Sequence, residues 1–169
     1  MRTYPYVGPP DIAAAARHAP PGTGLPDPAA LAAWLAEQPS PVGPFTYTVG
    51  ADETLRLADR RSEHVACAGG GAVLAAGEVT FGPAGGGRMR VVEVSNLSTG
   101  YCPDTACWPA VAGALAAVGV EHPGGFTQAV VFRRCRGCGA AQVVREGFFV
   151  CVFCEADLPE RWNLDDRAT

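Results

Sequence analysis

Four cysteines near the C-terminal end carry the clearest chemistry in this sequence. Cys135 and Cys138 form one Cys-x-x-Cys pair and Cys151 and Cys154 a second, with 12 residues between the pairs. Pairs at that spacing suit one tetrahedral Zn2+, each pair on a tight knuckle and a short hairpin bringing the knuckles together. Gly137 and Gly139 supply the positive φ and unhindered backbone that such knuckles need. Gln142 to Arg145 and Phe148 to Val152 read as the hairpin strands, turning at Gly147. The alternative is two disulfides or four buried free thiols. Four protein thiolates leave a metal no open position, so the expected role of the ion is structural.

A second group of polar residues lies earlier. In VLAAGEVTF, Glu78 shares a strand face with Leu74, Ala76 and Thr80, and Gly77 beside it lets another segment approach the backbone closely. An ionised carboxylate on an apolar face needs donors, and His64, Arg60, Arg61, Ser98, Thr99 and Tyr101 are candidates. His64 precedes a glycine-rich turn and can act as a general base near neutral pH. The loop SNLSTGY gathers hydroxyl, amide and phenol groups at a strand end. It serves either binding or the backbone needs of its own turn. A catalytic site at His64, Glu78, Ser98 and Tyr101 is therefore one expectation. A solvated Glu78 and a structural His64 are the other.

Three further cysteines remain. His64, Cys67, Cys102 and Cys107 offer ligands for a second zinc, and Cys67 offers a nucleophile beside His64, but inert packing is the ordinary fate of a free thiol. The glycine runs at 69–71 and 85–87 lack the Lys-Ser/Thr ending of a phosphate loop.

Bulk properties bound the rest. The chain has 169 residues, enough for one modest domain and a small appendage. Hydrophobic residues make up 48% and charged residues 18%, which marks a folded protein and not a disordered one. A net charge of −4 argues against nucleic-acid binding by bulk charge. In the ribbon, Arg133, Arg134, Arg136, Arg145 and Arg161 are offset by Glu146, Glu155, Asp157 and Glu160. Phe148, Phe149, Phe153 and Trp162 are expected to wrap a small ribbon core. No apolar run reaches the ~18 residues of a membrane span, and MRTYPYVGPPDI has no signal-peptide pattern. The odd total of seven cysteines speaks against a full disulfide framework, so a reducing cytoplasm is the expected location.

The elements that must position these groups follow from spacing. A short helix from Pro10 runs through Ala13 to Arg17, and Pro20 to Pro26 is a loop. Asp27 caps a second helix with Pro28 as its first residue and Leu31, Trp34 and Leu35 on one face, ending near Gln38. Strands are expected at 45–49, 55–58, 72–81, 90–95 and 127–133, the third and fourth joined by GPAGGG. The segment ADRRSEHVACAGGG reads as irregular, and Pro109 to Val118 as a helix stopped by Gly119. The pattern predicts an α+β fold: an antiparallel sheet with flanking helices and a C-terminal zinc ribbon. The expected division is an α+β domain over 1–132, the ribbon over 133–163 and a tail over 164–169.

The succession SEHVACAGG, VLAAGEVTF, VSNLSTGYCP, FRRCRGC, CVFC and LPERWN resembles a family of uncharacterised bacterial proteins, which implies small cytoplasmic proteins with a C-terminal zinc ribbon. A looser likeness joins His64, Ala76-Gly77-Glu78, Ser95-Asn96, Ser98, Gly100 and Tyr101 to domains at the C-terminal ends of bacterial toxins and effectors. Here Thr99 is extra and the His before Tyr is missing. Three functions follow as expectations. The first is a structural ribbon on a protein that binds another protein, with the sheet loops as docking surface. The second is a toxin-related enzyme or ligand-binding domain. The third is nucleic-acid binding, which requires Arg133, Arg134, Arg136 and Arg145 on one face.

Overall fold

Strand alternation through the middle of the chain produces a five-stranded antiparallel sheet. In the computed structural model, which describes residues 1–165, its strands are β1 (Thr23–Leu25), β2 (Phe45–Gly50), β3 (Leu55–Asp59), β4 (Val73–Gly85) and β5 (Arg88–Val94), in the order β1-β3-β2-β4-β5. Tyr47 stands opposite Leu57 on one side and Gly77 on the other. The period of two then places Phe45, Tyr47 and Val49 on one face with Leu55, Leu57, Ala75 and Val79, and all of these are buried. Thr46 and Thr48 face the other way and are also buried, so both faces of the central strand are covered.

Helices supply that cover. α1 (Pro10–Ala16) and α2 (Pro28–Ala36) each begin with proline, and the Asp27 side chain accepts from the Ala30 amide at 2.8 Å. Trp34 of α2 meets Phe45 edge to face, ring centres 4.8 Å apart. On the Thr46/Thr48 face lies α3 (His64–Cys67), with Thr48 Oγ1 3.5 Å from Cys67 Sγ. α4 (Trp108–Ala117) follows a single 3-10 turn at Thr105–Cys107 and packs Val111, Ala114 and Leu115 into the core. Among the described residues no helix is long and apolar enough to cross a membrane.

The structure departs from the sequence expectations at several elements. The expected loop at 20–26 contains β1, which pairs with β3. The segment read as irregular contains α3, one helical turn held by Cys67 N–H donating to Glu63 O at 3.0 Å. The expected sheet strand at 127–133 is split. Thr127 and Gln128 run beside β5, with Thr127 N–H donating to Val94 O, whereas β6 (Val131–Arg134) pairs with β7 (Ala141–Val144) in a separate two-stranded sheet. The ribbon hairpin therefore closes around the first knuckle, and the expected pairing of 142–145 with 148–152 shrinks to a single bridge, Arg145 to Phe148.

The chain does not end in a free tail at 164. Phe132, Trp162 and Leu164 all belong to the main core, and Trp162 Nε1 donates to Cys102 O at 2.7 Å. Asn163 clasps Arg134, accepting from its amide and donating to its carbonyl, each at 2.9 Å. Of the expected tail, residues 166–169 lie outside the described residues.

Candidate metal centre

The two Cys-x-x-Cys segments fold into the same turn. In the first, Cys135 N–H donates to Ala140 O and Gly139 N–H to Cys135 O; in the second, Cys151 N–H donates to Ala156 O and Glu155 N–H to Cys151 O. The residue four past the first cysteine must be left-handed in both, and Gly139 has φ 74° and Glu155 φ 63°. Gly137 serves differently: a β-carbon there would lie 3.3 Å from Ala156 Cβ and 3.5 Å from Cys154 Sγ, so its role is to leave room between the knuckles. Glu146 and Gly147, both at positive φ, turn the chain between Arg145 and Phe148 as the primed hairpin turn requires.

This brings together the four cysteines expected as ligands. The sulfurs of Cys135, Cys138, Cys151 and Cys154 all lie within 4.8 Å of one another. Cys135 and Cys154 are 3.5 Å apart and Cys138 and Cys151 3.6 Å. A disulfide needs about 2.05 Å, whereas a tetrahedral ion bound at about 2.3 Å spaces its sulfurs about 3.8 Å apart. The cluster fits a metal.

Donors to Cys151 favour the thiolate form that a metal requires, whereas hydrogen bonds with the neighbouring cysteines push Cys154 up to about 12. Gly137 N–H points to Cys135 Sγ at 3.3 Å, and Phe153 N–H to Cys151 Sγ at 3.4 Å. Gln142 Nε2 donates to Cys151 Sγ at 3.0 Å while its Oε1 accepts from Val152 N–H, which fixes the amide orientation. Burial opposes ionisation of Cys151, yet these donors outweigh it and bring the thiol down to about 6.

Among the described residues this is the one cluster of three or more His, Cys, Asp or Glu side chains able to share an ion. The second zinc considered for His64, Cys67, Cys102 and Cys107 is therefore not assembled. Burial pushes the Cys67 thiol up, that of Cys102 to about 11 and, with help from Asp104, that of Cys107 to about 12. These are inert, protonated thiols.

The polar residues of the sheet domain serve mainly the backbone. His64 Nε2 lies 3.0 Å from Gly77 O, and because a carbonyl only accepts, Nε2 carries the hydrogen. Burial lowers the His64 pKa, against the raising effects of that carbonyl and of the Glu78 and Glu63 charges. Tyr101 donates its hydroxyl to Gly71 O, and burial lifts its pKa beyond the ordinary phenol range. Ser98 Oγ accepts from Tyr101 N–H at 3.4 Å and its carbonyl from Cys102 N–H at 2.7 Å, closing the turn. Half-buried Glu78 lines a shallow groove of about 180 Å3 with Thr80, Glu93, Ser95 and Gln128. His64, Ser98 and Tyr101 are not in its wall. His64 thus lies beside the strand that carries Glu78, whereas Ser98 and Tyr101 complete a turn of their own.

The charges and aromatics of the ribbon are placed differently from expectation. Arg133 is buried and donates to the carbonyls of Phe132, Pro159 and Glu160, so it is not part of an exposed basic face. Arg134 is half-buried, with Nη1 on Gly139 O, which leaves Arg136 and Arg145 exposed. Trp162 packs in the main core, edge-on to Tyr4 at 5.1 Å. Phe148 and Phe153 do not wrap a ribbon core: they are 74% and 70% exposed. Only Phe149 packs beside Cys135, Val144, Cys151 and Leu158.

Sequence reasoning missed this apolar rim, although a signal was present. With Cys151 turned inward to meet the other three sulfurs, the period of two in FFVCV sends Phe148, Val150 and Val152 outward. Asn96, expected only as the amide of the SNLSTGY loop, proves to be a structural clasp. It is fully buried, and its amide donates to Pro103 O and Val130 O while accepting from Val130 N–H at 2.7 Å. No family model, characterised protein or solved structure matches the chain, and the functional reading rests on geometry.

Proposed function

We propose that this is a non-catalytic zinc-ribbon protein, in which one structural Zn2+ fixes a hydrophobic rim for docking onto another protein. Cys135, Cys138, Cys151 and Cys154 hold the ion; an all-thiolate set is soft enough to favour zinc and leaves no position for substrate. A reducing cytoplasm keeps those thiols available.

The observation that carries the docking role is the rim itself. Phe148, Val150, Val152 and Phe153 are 74%, 41%, 73% and 70% exposed, all within six residues of sequence. Contiguous exposed apolar side chains of that size mark interaction surfaces. The exposed charges of the ribbon are mixed, Arg136 and Arg145 with Glu146, Glu155 and Asp157, which favours a protein partner over a polyanion. The sheet is a weaker candidate, since Leu97 in the loop after β5 is only 39% exposed and Val92 on β5 only 37%.

The test compares wild type with the double variant Phe148→Ser/Phe153→Ser and with a control, Val92→Ser. Elemental analysis should find zinc in all three. A protein that co-purifies with wild type and with the control should be lost from the double variant. Equal recovery with the double variant would overturn the docking role, and absence of zinc from wild type would overturn the metal.

A further inference from the structure

A sizeable cavity lies where the ribbon base meets the main domain. It measures about 620 Å3, and its wall is drawn from the N-terminal segment, the start of α4, Arg133 of β6 and the chain at 160–162. That size is typical of a small-molecule pocket.

Its chemistry is lopsided for an acidic protein. Three guanidinium groups, Arg2, Arg133 and Arg161, face two carboxylates, Asp104 and Glu160. Asp104 is engaged elsewhere, accepting from Ala106 N–H and Thr105 Oγ1 to cap the 3-10 turn. Arg133 is the unusual member. It is only 7% exposed, and among the described residues the one ion pair is Arg56 with Asp52, so no carboxylate contacts it directly and Asp104 acts on its charge only from a distance. Three carbonyls take one N–H from each of its nitrogens. A guanidinium has five N–H donors, so each terminal nitrogen keeps one more. A buried cation with no carboxylate in contact is costly, and a ligand anion placed against it relieves that cost.

The rest of the wall sets the ligand body. Trp162 and Tyr4 form an aromatic side, with the Arg2 guanidinium 4.9 Å above the Trp162 ring. Leu74 and Ala110 add aliphatic surface.

We propose that this cavity binds a small aromatic monocarboxylic acid, its carboxylate held by Arg133 and Arg161 and its ring lying against Trp162 and Tyr4. Arg133 has two N–H groups left, and a carboxylate has two oxygens to accept them. A phosphate dianion suits the site less well, because Asp104 and Glu160 repel its second charge.

The test uses the full, zinc-loaded chain labelled with 15N and titrated with benzoate, benzamide and phenyl phosphate. Benzoate should shift the amides of Arg2, Cys107, Ala110 and Trp162 saturably, and the neutral isostere benzamide should bind about tenfold more weakly, the loss of one charge-assisted contact. Arg161→Ala, at an exposed position, should weaken benzoate by about as much while leaving the melting temperature unchanged. Arg133→Lys keeps the charge but not the fork, and should weaken benzoate without abolishing it. The proposal is overturned if benzoate shifts no amide around the cavity, if benzamide binds equally, or if phenyl phosphate binds in preference to benzoate.

Discussion

The carbonyl oxygen of Ser95 occupies the space where a β-carbon on Gly77 would sit, closer than any real β-carbon contact. The same oxygen accepts the buried Tyr47 hydroxyl at 2.8 Å. Gly77 is therefore required because the loop after β5 presses on the middle of β4, and not for backbone freedom. Gly77→Ala is expected to destabilise the fold by at least the roughly 1–3 kcal/mol of an overpacked core. Tyr47→Phe, which only removes the hydrogen bond, is expected to lose about 1 kcal/mol. Urea melts that rank the two in the opposite order would refute this account of Gly77.

Metal removal should separate the seven cysteines into two sets. After chelation, Cys135, Cys138, Cys151 and Cys154 are expected to react rapidly with a thiol reagent. Cys67, Cys102 and Cys107 should stay protected until denaturant is added, because all three are buried and protonated. Mass mapping of labelled peptides checks the assignment. Labelling of the three core thiols at the same rate as the ribbon set would show it to be wrong.

His64 makes stability pH-dependent in a defined direction. Burial holds its folded pKa below the ordinary value of about 6.5, so between the two pKa values the unfolded chain binds a proton that the folded chain does not. Stability therefore rises with pH through that window and is lost as the pH falls. His64→Gln keeps a donor for Gly77 O but does not titrate, and should flatten the slope of unfolding free energy between about pH 5 and 7. An unchanged slope in denaturant melts across that range would remove His64 from the explanation.

What could be read in the sequence was local. The four ligand positions follow from spacing inside two short turns, and the start of α2 from Asp27-Pro28. β1 could not be read, because Thr23-Gly24-Leu25 has no periodicity of its own and becomes a strand only by pairing with β3. α3 was hidden by its polar and glycine-rich flanks, although tertiary packing of Val65, Ala66 and Cys67 holds it. The burial of Arg133 was equally invisible: its partners are main-chain carbonyls, two of them 26 and 27 residues away, and carbonyls carry no residue-type signal. The ribbon pairing was misread because 142–145 has two possible neighbours, and the knuckle geometry chose β6.

Phe132 and Trp162 both root in the main core, which makes the intervening ribbon a handle attached at two points and not a pendant. A handle can soften while its anchorages hold, since the entropy of a closed loop grows only with the logarithm of its length. Loss of the ion would then leave the body folded and the four sulfurs still tethered near one another, ready to be refilled. The hydrophobic rim, carried on that handle, would be presented or scrambled according to metal supply.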